Sequence, residues 1–234
     1  MKLTQGLAAL VLLGSVAAAN AEVTGTVTVV SDYNWRGVTQ SAQDPALQGS
    51  IDYAHDSGFY AGVWGSNVDF GDCCDENIET DLYAGFSGGE DVTWDVGFIY
   101  YYYPGAEGLD YPEVYAGIGY KWLEGKMWYS SDFANYDEQA WYFEANAAYE
   151  LPANFGLEAH VGYSTGDGIE AAYGVDNYMD WSVGVTYAVG HFDLGLKYAD
   201  GSDLNTLDGT PDDVSSSEGV AIFSVATSFP WSSD

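Results

Sequence analysis

The chain has 234 residues and a formal net charge of −31, with five Lys and Arg against 36 Asp and Glu. Such a polyanion repels phosphate, which excludes nucleic acid and anionic headgroups as electrostatic partners. Aromatics nevertheless make up 16% of the residues, with 20 Tyr, 8 Trp and 29 Gly, too many for a disordered acidic chain. Lys2, the apolar run Leu3 to Val16 and the small-x-small triplet Ala19-Asn20-Ala21 predict a secretory signal peptide over 1–21, cut before Glu22. That run is too short to span a bilayer, and no later run reaches the length of a membrane helix. A closed β-barrel can still cross a membrane, because it satisfies every backbone group within itself.

From Val23 onward, apolar and polar residues alternate with period two in segments of about ten residues. In the stretch from Val92 to Tyr102, Val92, Trp94, Val96 and Phe98 share one face, and Thr93, Asp95 and Gly97 the other. The segments around Leu82, Phe143, Val161, Val183 and Leu196 behave alike. The pattern predicts about 12 strands, starting near Val23, Ala46, Phe59, Asn77, Val92, Glu113, Lys126, Ala140, Gly156, Met179, Phe192 and Glu218. Links between them alternate long and short. Asp32 to Pro45 is long and His55-Asp56-Ser57-Gly58 short; Tyr103 to Pro112 is followed by the tight Glu124-Gly125. Short periplasmic turns and longer extracellular loops give that alternation in an outer-membrane barrel. A soluble barrel or sandwich shares the period-two signal. The loop lengths, the aromatic strand ends and the signal peptide favour the membrane. The fold expected is all-β: a transmembrane antiparallel up-and-down barrel over 22–229, with a short tail at 230–234.

Several segments carry a family resemblance. They are Ser31-Asp32-Tyr33-Asn34-Trp35-Arg36-Gly37-Val38-Thr39-Gln40, Gly58-Phe59-Tyr60-Ala61-Gly62-Val63-Trp64-Gly65-Ser66-Asn67-Val68 and Glu79-Thr80-Asp81-Leu82-Tyr83-Ala84-Gly85. To these add Trp94 through Gly105 and Glu113-Val114-Tyr115-Ala116-Gly117. On them the chain resembles the TorF-type porin family of proteobacterial outer-membrane proteins. The resemblance implies a Gram-negative outer-membrane location and a pore, and carries no substrate. Such barrels commonly end on an aromatic residue that the assembly machinery reads. Phe229 is the equivalent here, and the extra residues Pro230 to Asp234 depart from the pattern.

If the apolar face meets lipid, the opposite face lines the lumen. That assigns Asp52, Glu79, Asp81, Asp95, Glu113, Glu144, Glu158, Asp180 and Asp193 inward, against Lys121 and Lys197. Arg36 is the sole arginine, and among so many carboxylates it is expected to pair bidentately, as a pin for the first long loop or as a constriction charge. Cys73 and Cys74 are adjacent, and in an oxidising envelope they could form a strained vicinal disulfide or an intermolecular bond. Without a Cys-x-x-Cys spacing or a nearby His, no metal site is expected there. His55, His160 and His191 fit no nucleophile pattern, so no catalytic residues and no cofactor are assigned.

The expected function is passive diffusion of small cations or small polar solutes through an acidic lumen. Outer-membrane lipid and the barrel assembly machinery are the expected partners. The alternative is a non-conducting barrel that binds a ligand or surface partner through its acidic outer loops. A rim-site hydrolase is a third reading.

Overall fold

The computed structural model describes residues 21–71, 77–106, 108–204 and 213–231. The expected signal peptide, Cys73, Cys74 and the last tail residues lie outside the described residues. The described chain forms β1 (Glu22–Val30), a two-residue ribbon of β2 (Asn34–Trp35) and β3 (Val38–Thr39), β4 (Ala46–Ala54) and β5 (Phe59–Asn67). Then follow β6 (Ile78–Gly89), β7 (Val92–Tyr102), β8 (Tyr111–Tyr120), β9 (Leu123–Ser130), β10 (Ala140–Glu150) and β11 (Phe155–Thr165). A short helix α1 (Asp167–Tyr173) precedes β12 (Asn177–Val189), β13 (Phe192–Ser202) and β14 (Val220–Phe229).

Apart from the ribbon, the strands make one closed 12-stranded antiparallel barrel. It closes where β1 pairs with β14, from Gly25 opposite Phe229 to Val30 opposite Ser224. Closure removes the unpaired edge that an open sheet would expose. Links of two to four residues join the strands at one end, and the links at the other end are long.

Period-two alternation decides what each face presents. Outward residues are large and apolar yet exposed: Val96, Val183, Leu196 and Phe223 belong to a continuous apolar belt. In water such a belt would be an aggregation surface; against hydrocarbon it is the ordinary exterior of a membrane barrel. Inward residues differ from one side of the barrel to the other. On β5 to β10 they are bulky, with Tyr60, Tyr83, Tyr101, Tyr111, Tyr115, Trp128 and Tyr142 all buried. On β11 to β14, β1 and β4 they are mostly small or polar and half-buried, such as Thr26, Ser50, Ser182, Gly184 and Thr186.

The tyrosines need glycine opposite them. Gly62 faces Tyr83 and Gly97 faces Tyr115 across their ladders. A Cβ at either glycine would collide with the partner's ring. Each ring thus lies across the strand beside it, which lets large side chains fill the lumen without spreading the barrel.

Two expectations are corrected. The tight hairpin between β8 and β9 turns at Lys121-Trp122, with Tyr120 opposite Leu123, and not at Glu124-Gly125. Lys121 adopts a left-handed φ of 58° there. This register sends Leu123 to the apolar exterior and Glu124 inward. The second correction is α1, which sits in the link between the strands expected to start near Gly156 and Met179. Its Ile169 is buried in the same apolar cluster as Phe133, and its Tyr173 ring meets Phe133, so contacts distant in sequence and not a helical period anchor it.

Candidate functional site

The lumen holds the polar chemistry of this chain, and the long loop after β1 enters it. Val38 and Thr39 of the ribbon are each 1% exposed, as buried as any residue of the barrel. Between β2 and β3 the turn places Arg36 in a left-handed conformation with φ 49°. Arg36 Nη1 and Nη2 donate to Glu113 Oε1 and Oε2 of β8 at 2.9 and 2.6 Å. The guanidinium lies 4.2 Å from both the Trp35 and Tyr142 ring centres. Burial alone would lower its pKa, but the Glu113 carboxylate holds it well above the ordinary arginine range. Tyr101 also donates to Glu113, at 3.0 Å. Asp32 anchors the base of the same loop, accepting from the Thr39 and Ser41 hydroxyls. Burial raises the Asp32 pKa, and those two bonds only partly offset it.

Around this insert aromatic side chains pack at the long-loop end of the lumen. Trp35 stacks on Phe133 at 6.3 Å, and Phe133 meets Tyr111 at 5.2 Å and Tyr173 of α1 at 6.2 Å. The Tyr173 phenol, buried among these groups, is pushed up to about 12. Backbone bonds run from Thr39 to the Ser216 carbonyl and from Asp69 to the Gln40 carbonyl, so three long loops lock together.

The inward carboxylates divide by partner. Asp95 pairs with Lys126 Nζ at 3.1 Å and accepts from Tyr60. Asp52 accepts from Tyr83. Glu144 accepts from Trp128 Nε1 at 2.7 Å and from Asn146 at 3.0 Å. Asp180 lies 2.8 Å from His160 Nε2, whose Nδ1 is 2.6 Å from Asn146 Oδ1. Glu113 is the partner of Arg36. Glu79 and Asp81 lie side by side on the inward face of β6, where no basic group among the described residues pairs with them; Tyr33 donates to Glu79 Oε1 at 3.1 Å.

Glu158 and Asp193 lie on the small-residue wall, as does Lys197, which is across Gly184 of β12 from Glu158, and all three are half-buried. Lys197 feels Glu158, Asp32 and Asp180 but forms no ion pair within 4 Å among the described residues. Lys121 is not in the lumen. The hairpin turn carries it into solvent, with its ammonium 4.9 Å from the Tyr120 ring.

Sequence reasoning missed Glu124, Lys126 and the tyrosine set. Glu124 and Lys126 depended on the hairpin register. The tyrosines were legible as inward by parity, but nothing in one strand says that its ring will cover a glycine on the next.

The family profile described as "Bacterial protein of unknown function (Gcw_chp)" matches residues 15–229. No curated protein matches the chain. Among solved structures, the chain is similar to the NanC porin, with a TM-score of 0.57 at 9% identity over 90% of this chain and 100% of that one. It is also similar to the KdgM porin, with a TM-score of 0.54 at 8% identity over 89% of this chain and 99% of that one. The KdgM porin in complex with disordered oligogalacturonate gives a TM-score of 0.54 at 8% identity, covering 91% and 99%. At these identities the likeness is one of fold.

Proposed function

The chain belongs to the Gcw_chp family of bacterial proteins of unknown function, and from its own geometry we propose that it is a narrow, cation-preferring outer-membrane channel of the TorF type. The observation that carries this reading is the charge left over in the lumen. Arg36 and Lys126 are each taken up by one carboxylate, which leaves Lys197 and His160 against Asp52, Glu124, Glu144, Glu158, Asp180 and Asp193 even before Glu79 and Asp81 are counted. A low-dielectric wall strengthens such a field, so cations would gather in the lumen and anions be repelled. Oligogalacturonate, with which one KdgM porin structure is in complex, is a polyanion, and this lumen would exclude it. The path proposed runs along the small-residue wall past Glu158 and Asp193, since the opposite wall is filled by tyrosines.

A second reading rests on the packed long-loop end. Arg36, Trp35 and Phe133 pack together there, which would suit a barrel that displays its loops to a ligand without conducting. Purified protein in planar bilayers under a salt gradient separates the two. A reversal potential of cationic sign supports the channel, and an anionic one refutes the charge argument. Absence of conductance from barrels shown folded by heat-modifiable gel mobility favours the binding reading.

A further inference from the structure

Every basic residue after Lys2 has a known place, which makes one pair of carboxylates conspicuous. Arg36 is on Glu113, Lys126 on Asp95, Lys121 in the exposed hairpin turn and Lys197 among Glu158, Asp32 and Asp180. His160 faces Asp180, and His55 and His191 lie in short links at the far end of the barrel. Residues 72–76, 107 and 205–212 contain no Lys, Arg or His. No protein cation is therefore left for Glu79 and Asp81.

Both are deeply buried, at 1% and 5% exposure. They sit two residues apart on the inward face of β6, at its long-loop end. Glu79 Oε2 and Asp81 Oδ1 have no hydrogen-bond partner among the described residues. The groups around them offer further oxygens. Tyr33 donates to the other Glu79 oxygen at 3.1 Å, Ser66 is the cross-strand partner of Glu79, and Tyr103 follows the end of β7 beside it. Tyr33 and Tyr103 are loop residues, and both bring a hydroxyl to Glu79. Two adjacent buried carboxyls, with phenol hydroxyls and each other as hydrogen-bond partners, cannot both stay charged without a compensating cation or proton.

We propose that Glu79 and Asp81 hold one divalent hard cation at the long-loop end of the lumen. The donor set contains only oxygen, which selects Ca²⁺ or Mg²⁺ over softer metals. Among the described residues no three His, Cys, Asp or Glu side chains converge, so the ion keeps part of its water shell, as hydrated Mg²⁺ commonly does on two carboxylates. The ion would also fix the first long loop to β6 through Tyr33. None of this requires the lumen to conduct, so metal titration and bilayer recording report on separate claims.

The test uses full barrels in detergent, stripped with EDTA and titrated by calorimetry with CaCl2 and, separately, MgCl2. A single saturable site for either ion is expected, and in the Glu79→Gln/Asp81→Asn double variant it should weaken by about tenfold or more. Absence of saturable uptake of both ions, or undiminished uptake by the folded double variant, overturns the proposal. The other way to relieve the pair is a shared proton, and infrared spectra of the wild type decide this even if the variant fails to fold. Loss of a buried protonated-carboxyl band, or a shift of the carboxylate bands, on adding the ion supports the site. A protonated-carboxyl band unchanged at saturating calcium and magnesium refutes it.

Discussion

Arg36 is held by two hydrogen bonds and by the faces of Trp35, Tyr142 and Trp128, and the ion pair itself lies out of water. Removing the guanidinium leaves Glu113 buried with only Tyr101 for support. Breaking one side of a buried pair costs about 3–5 kcal/mol, because the remaining charge has no compensation. Arg36→Ala should lower stability by that order in urea unfolding monitored by tryptophan fluorescence. Arg36→Lys should recover part of it, since an ammonium restores the charge but not the two-pronged geometry. Asp32 gives a pH signature at the same loop. Its folded-state pKa lies above the ordinary 3.8, so the folded chain binds that proton more tightly than the unfolded one. The contribution of Asp32 to stability is therefore greatest below 3.8, falls as pH rises through the raised value, and stays lower beyond it. Asp32→Asn keeps an oxygen that accepts from Thr39 and removes the titration. In urea midpoints measured across the acid range, the variant should lack this fall.

At the scale of the strand, the two faces of β12 should respond to charge in different ways. Val183 is 52% exposed on the apolar belt, and its neighbour Ser182 points to the half-buried small-residue wall. Val183→Arg should cost about 2–4 kcal/mol if that position lies near the bilayer midplane, and Ser182→Arg much less. Equal penalties in detergent or lipid unfolding would mean that the outer belt does not face hydrocarbon. Strand number, most strand starts and face assignment were legible because period two repeats in every strand, and a face error would put Asp95 or Glu144 into lipid. The β8–β9 hairpin was misplaced for a local reason. Glu124-Gly125 has the better turn composition, but the register is set by Leu123 and Met127 reaching the apolar belt while Lys126 reaches Asp95. The ribbon and α1 were illegible because neither has a period of its own. Trp35, Phe133 and Ile169 hold them through contacts distant in sequence. The Arg36 pairing was legible in kind, since a lone guanidinium among carboxylates must pair, but Glu113 as the partner depended on how the first long loop enters the barrel.

For the whole barrel, orientation and selectivity are the open quantities, and they can be measured apart. Loop lengths place the short links in the periplasm and the long ones outside. In a Cys73→Ser/Cys74→Ser background, a membrane-impermeant thiol reagent on intact cells should label Asp110→Cys and leave Ser57→Cys unlabelled. The reverse result inverts the barrel. Selectivity then follows from which charges remain free. Neutralising Asp95 or Glu113 would release Lys126 or Arg36 and disturb packing, so those variants mix two effects. Glu158 and Asp193 lie on the small-residue wall, and neither forms an ion pair within 4 Å among the described residues. Glu158→Gln/Asp193→Asn should therefore lower cation preference in the bilayer reversal potential without loss of heat-modifiable mobility. In the wild type the same preference should shrink with salt, because the screening length falls from about 10 Å at 0.1 M to about 3 Å at 1 M. Selectivity that withstands both salt and the double substitution would have to come from steric fit, and the acidic wall would then be a solvated lining with no part in permeation.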